Sequence, residues 1–130
     1  MDTSRAPRAR AAVRVVLALA MMAVGIDHFV QPSFFVRIVP DAFVPRGATA
    51  LLLVQVSGFF EVLGGLGLLI FRVRRAAGIG LVLLYVAVFP ANVNMVIHPA
   101  LGGTVPLWAL WVRLPLQLVL IALALWVSRR

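Results

Sequence analysis

The sequence predicts an all-α fold, an integral-membrane bundle of four transmembrane helices in one domain. Three observations carry that prediction. The 130 residues are 63% hydrophobic, with a mean hydropathy of +1.07. That is more apolar surface than a soluble domain of this size can hide. The apolar residues fall into four runs, each close to the ~20 residues that cross a hydrocarbon core of ~30 Å. The charge is gathered at the ends of those runs. It amounts to +8, with twelve basic residues, all arginine, against four acidic ones. On a soluble chain such a balance would suggest nucleic acid. At the ends of apolar runs it indicates membrane lipids with anionic headgroups, and no nucleic-acid partner is expected. The chain has no Cys, which excludes disulfides, thiol catalysis and Cys-ligated metal.

Residues 1–14 carry Arg5, Arg8, Arg10 and Arg14 with Pro7 and read as a basic cytoplasmic tail, so the transmembrane domain proper is expected over 15–130. The first apolar run is short. Extended over 11–30 it becomes a span, with Arg14 snorkelling at its inner end. A signal peptide is the rival reading, because the basic start, the short apolar run and Ala18-x-Ala20 fit one. Gly25, Asp27 and His28 follow directly, as they would in a helix with a polar outer end. Residues 31–47 contain Pro32, Pro40 and Pro45, too many for a continuous helix. They are expected to form an external interfacial loop, with a short helix over 33–39 roofing the bundle.

The second span is expected over 48–71, where Glu61 is the only ionisable residue. Arg72, Arg74 and Arg75 end it in a tight turn. The third span, 76–97, contains Pro90, which removes a backbone hydrogen bond and can kink the helix. In it Gly80, Ala87, Ala91 and Asn94 share a small-residue face. After an uncharged turn over 98–104, the fourth span runs over 105–127 and carries Arg113, Pro115 and Gln117. Trp108 and Trp126, near its two ends, suit aromatic belts. Arg5, Arg8, Arg10, Arg14, Arg72, Arg74, Arg75, Arg129 and Arg130 fall on one side of this scheme, and only Arg37 and Arg46 on the other. The positive-inside rule then places both termini in the cytoplasm.

Glu61 organises the site prediction. It lies about 15 Å from the Phe71 end of its span, near the bilayer midplane, where an ionisable group marks a function or needs a partner. Ser57, Gly58, Gly64 and Gly65 share its helix face. Gly58, Gly64, Gly65 and Gly80 are read as helix-packing glycines, which admit a close neighbour, so Glu61 should point into the bundle. Measured from the outer ends, Asp27 and Asn94 lie about 5 Å deep, Arg113 about 12 Å, Gln117 about 18 Å and Glu61 about 20 Å. A polar pocket of Glu61, Arg113, Asp27, His28, Asn94 and Gln117 is therefore expected in the outer half of the bundle.

Arg113 keeps its proton at any ordinary pH and needs an anion. Glu61 is the expected partner ahead of Asp27, because it is deeper and on a small-residue face. That pair is either a structural pin for helix register or a functional pair. Asn94 and Gln117 read equally as interhelical hydrogen bonders. Periodicity alone does not choose between Asp27 and His28 as the inward residue. No metal site is expected, since His28 and His98 are the only histidines and lack ligand spacing. Gly65-x-Gly67 follows no strand and is not a nucleotide loop.

Four stretches together resemble the DoxX-like membrane proteins. They are Gly25-x-x-His28-Phe29-x-x-Pro32-x-x-Phe35, Ser57-Gly58-x-x-Glu61-x-x-Gly64-Gly65-x-Gly67, Phe89-Pro90-Ala91-Asn92 and Trp111-x-Arg113-Leu114-Pro115. The resemblance covers nearly all of the chain after the basic tail. It implies a multi-pass four-helix protein of the bacterial inner membrane, some of whose relatives are linked to membrane redox complexes. Members often carry Lys where this chain has His28. The resemblance supplies no catalytic set, and no catalytic motif is present.

Two functions follow as expectations. The first is a non-catalytic subunit or scaffold in a quinone-linked membrane redox assembly, with a redox-complex protein as partner. The second is a protein that binds a quinone or another small molecule at the Glu/Arg pocket, or a proton-coupled carrier, which would need a homo-oligomer to form a path. No cofactor is expected other than a quinone.

Overall fold

A computed structural model describes residues 5–42 and 47–129. Residues 1–4 of the expected tail, 43–46 of the expected loop and Arg130 lie outside the described residues. The described chain is helical: α1 (Arg5–Val30), α2 (Pro32–Ile38), α3 (Ala48–Leu69), α4 (Arg74–Ile97) and α5 (Leu107–Val127), with one 3-10 turn at Pro99–Gly102 before α5. Four helices, α1, α3, α4 and α5, are long and apolar enough to cross a membrane. Their outward faces are strongly apolar. Val16, Leu83 and Leu118 are 67%, 65% and 63% exposed, on helices that are hydrophobic almost all round.

The helices begin and end close to the expected boundaries, with one difference. Residues 5–14, expected as a tail, continue α1. Ala6, Ala9, Ala11, Ala12 and the arginines between them are strong helix formers, and Pro7 sits in the first turn, where its missing N–H costs nothing. The short helix expected over 33–39 is α2, with Pro32 in its first turn. Gly47, at the start of α3, has a φ of +105°, which a residue with a Cβ adopts only under strain.

The tightest packing joins α1 to α3, and its cause is legible in the spacing of small residues. A Cβ on Gly58 would lie 2.7 Å from the Gly25 carbonyl oxygen and 2.6 Å from the His28 Cβ. A Cβ on Gly25 would lie 2.7 Å from the Gly58 carbonyl oxygen, and one on Gly65 would lie 2.8 Å from that of Ala18. Ala18 and Gly25 are seven residues apart, as are Gly58 and Gly65. The antiparallel helices therefore meet with matched seven-residue repeats, which keep a seam on one face over two turns. Buried positions follow it: Ala18, Met21, Gly25 and His28 on α1, and Val54, Gly58, Glu61, Gly65 and Leu68 on α3.

Gly64 packs toward the other neighbour, with Leu81 of α4 where its Cβ would be. Gly80, expected among the packing glycines, faces open space: a Cβ there meets nothing within 4 Å. Gly78 is the glycine of α4 that packs, against Ser128 and the Ala124 carbonyl at the end of α5. The expected small-residue face of α4 misplaced Gly80, because the buried stripe runs instead through Leu81 and Tyr85.

Two apolar clusters leave a space between them. Leu17, Ala18, Met21, Leu68, Leu81, Tyr85, Ala124 and Val127 fill the arginine-rich half of the bundle. Ile38, Met95 and Leu110 join α2 to α4 and α5 at the opposite end. The polar residues of the spans lie between the two.

Candidate functional site

Between the clusters is a cavity of about 480 Å³ with residues from all five helices in its walls. Its volume lies within the ~300–1,000 Å³ of ordinary small-molecule sites. The wall is mainly aliphatic and aromatic, and its polar groups include His28, Ser57, Glu61, Asn92, Arg113 and Gln117. Phe35 and Ile38 line it at the α2 end. Tyr85, whose hydroxyl donates to the Met21 sulfur, lines it at the arginine-rich end.

His28 is the inward residue of its pair. It is buried in the α1–α3 seam, whereas Asp27 is half-buried and outside the cavity wall. The His28 Nδ1 lies 2.8 Å from the Val24 carbonyl oxygen. A carbonyl only accepts, so Nδ1 carries the proton in that contact, and in the neutral ring Nε2 is left as the acceptor. The ring stacks on Phe35, with centroids 3.8 Å apart and planes at 15°. One side chain thus fixes α1 against the roof helix.

Glu61 is buried, and its Oε2 stands 3.6 Å from the His28 Nδ1. That separation is too long for a hydrogen bond, and the Nδ1 proton is engaged with Val24. Arg113 reaches the same cavity from α5, on the stripe Leu110, Arg113, Gln117, Leu120 and Ala124. The expected Glu61–Arg113 ion pair is not formed. Among the described residues no carboxylate is in ion-pair contact with Arg113, and the neighbour of Glu61 at ion-pair distance is His28. The depth estimate placed the two groups within reach of a long side chain, but they line the same cavity without meeting.

Gln117 bridges α4 and α5. Its side chain accepts from the Asn92 Nδ2 and donates to the Tyr85 carbonyl. Pro90 lies inside α4 and supplies no N–H to the Val86 carbonyl, one residue beyond the Tyr85 carbonyl that Gln117 reaches. Asn94 is outside the cavity wall. Its Nδ2 donates to the Ile38 carbonyl at 3.0 Å, capping the last turn of α2. The residue that sequence reasoning missed is Asn92. The stripe Leu81, Tyr85, Val88, Asn92 would have found it, because Asn92 lies seven residues beyond Tyr85 on the buried face.

The described residues contain no group of three or more His, Asp or Glu that could hold a metal ion. The site can supply a permanent hydrogen-bond donor in Arg113, a buried carboxyl in Glu61 and a planar aromatic surface. Among the described residues Arg113 has no carboxylate partner, and Glu61 has only His28 at ion-pair distance.

No curated protein matches the chain, and no solved structure matches it. One family model does, over residues 17–128, which takes in the α1–α3 seam, the roof helix and the whole cavity wall. The chain belongs to that family, described as Domain of unknown function (DUF8561).

Proposed function

We propose that this protein binds a small, largely apolar molecule with a polar head inside its membrane bundle, and that a quinone is the ligand class. The observation that carries the reading is that Glu61 and Arg113 face one 480 Å³ cavity without pairing with each other: among the described residues Arg113 has no carboxylate in contact, and Glu61 has only His28, at 3.6 Å. Charged groups are costly at this depth unless something matches them. A quinone offers carbonyl oxygens. Arg113 donates to one, and Glu61 donates to another when protonated or accepts from the hydroxyl of the reduced form when ionised. The aliphatic wall and the Phe35–His28 stack suit the ring. A bound quinone would supply the redox chemistry, while the protein's residues hold it, exclude water and carry the proton at Glu61.

The same reading places both termini in the cytoplasm of a bacterial cell, with the bundle in its inner membrane as the DoxX-like resemblance implies. Cysteine introduced at Thr104 of this thiol-free chain should be labelled by an impermeant reagent in intact cells, and cysteine at Arg75 should not. The reverse pattern would invert the topology.

The ligand reading is tested by thermal unfolding in detergent with a short-chain quinone and its quinol. A hundredfold excess over Kd stabilises the folded state by about 2.7 kcal/mol, so the midpoint should rise, and Arg113→Met should abolish the rise. Unfolding of the unaltered protein that neither form shifts would end the quinone assignment.

A second reading, as a non-catalytic subunit of a membrane redox assembly, has its own support. A groove of about 650 Å³ between α3 and α4 is lined by Phe60, Leu63, Gly64, Gly67, Gly80 and Leu83 among others. The open space at Gly80 suits the close approach of a partner helix. Co-purification of one fixed protein in mild detergent would support it.

A further inference from the structure

We infer that Arg10, Arg14 and Arg74 form a binding site for the phosphate of an anionic phospholipid at the arginine-rich end of the bundle. The three guanidiniums come from two helices and are each anchored from one side. The Arg14 Nε donates to the Val127 carbonyl at 2.8 Å, at the end of α5. The Arg74 Nε donates to the Leu68 carbonyl at 3.0 Å, at the end of α3, and its guanidinium lies 5.4 Å from the Phe71 ring centroid. The Arg10 guanidinium lies 5.8 Å from the ring centroid of Trp126.

These anchors use one N–H of Arg14 and one of Arg74, out of five on each guanidinium. The Arg10 Nε is buried and has no hydrogen-bond partner. Arg14 lies within electrostatic reach of both Arg10 and Arg74, so three like charges are held together. The described carboxylates are elsewhere: Asp27 at the far end of α1, Asp41 beyond α2, and Glu61 in the middle of α3. An anion is what this arrangement lacks, and the planar fork of arginine matches phosphate oxygens in pairs.

A lipid is favoured over a soluble anion by the surroundings. The cluster sits where apolar spans end, beside Trp126, a residue type that marks membrane interfaces, and Phe71. The neighbouring Phe71 and Val73 are 59% and 45% exposed, an apolar surface on which acyl chains can lie.

The test uses the full chain in nanodiscs of phosphatidylcholine with and without phosphatidylglycerol, and native mass spectrometry to count retained lipid. The unaltered protein should retain phosphatidylglycerol in preference. The triple change Arg10→Gln, Arg14→Gln and Arg74→Gln should cut that retention roughly tenfold or more. A control with the same loss of charge at exposed sites, Arg8→Gln, Arg75→Gln and Arg129→Gln, should retain it. Arg10→Gln alone has no Nε hydrogen bond to lose, so it should weaken retention in a protein that still folds. Equal loss in triple variant and control would reduce the site to a diffuse basic end and overturn the proposal. Displacement of the lipid by inorganic phosphate at comparable concentration would show a soluble anion site, and would overturn the lipid assignment.

Discussion

Gly58→Leu should destabilise the bundle by at least the ~1–3 kcal/mol typical of overpacking, and Gly58→Ala should already be destabilising. In an ordinary helix interior, glycine to alanine gains about 0.5–1 kcal/mol. Here the sign reverses because of what the new atom meets. Its two nearest contacts are the Gly25 carbonyl oxygen at 2.7 Å and the His28 Cβ at 2.6 Å. Neither is the far end of a flexible side chain, so α1 itself must move away. That movement would disturb His28 and its stacking on Phe35, and with them the cavity. Gly80→Ala is the internal control, because its Cβ meets nothing within 4 Å, and it should gain the ordinary helix-propensity increment. Denaturant unfolding in detergent distinguishes the two sites. A Gly58→Ala protein as stable as Gly80→Ala would show that the α1–α3 seam is looser than described.

Removing the charge of Arg113 should make the unliganded protein more stable, by about 1–3 kcal/mol. An unmatched cation within a span costs ~2.5–3.5 kcal/mol at the helix centre and less toward the ends. Arg113→Met keeps a long apolar side chain on the cavity wall and removes the penalty. The same change should abolish ligand-dependent stabilisation. Were Arg113 instead paired with Glu61, its loss would strand a buried carboxylate and stability would fall. The direction of the change in unfolding midpoint therefore separates an unpaired ligand-facing arginine from a structural ion pair. A double cycle with Glu61→Gln adds a check: for groups not in contact, the two effects should add to within about 0.5 kcal/mol.

The spans were legible in the sequence because hydrocarbon thickness fixes their length, and their polar boundaries are sharp. Ala48 and Ile97 stand where they do because arginine, proline and glycine end the apolar runs. Glu61 and Arg113 could be placed at the cavity from depth and helix face alone. Their pairing could not, because depth is one coordinate, and the distance across a bundle depends on which helices are neighbours. The choice between Asp27 and His28 was available in principle. Matching Ala18 and Gly25 against Gly58 and Gly65 at seven-residue spacing selects the stripe of His28. Asn94 was overvalued for its depth, and Asn92 was overlooked because its stripe is defined by Leu81 and Tyr85, which read as ordinary core residues.

The α1–α3 seam joins helices that are not consecutive in the chain. α1 precedes the helix against which it packs most closely, with α2 between them, so His28 and Glu61 can meet only once α3 has been made. α4 and α5 then form a second antiparallel pair, tied by Asn92, Gln117 and the Tyr85 carbonyl. Glu61 belongs to the first pair and Arg113 to the second, so neither hairpin possesses the cavity. It comes into existence only when the two hairpins dock, so its walls are a property of the assembled bundle and of neither pair alone.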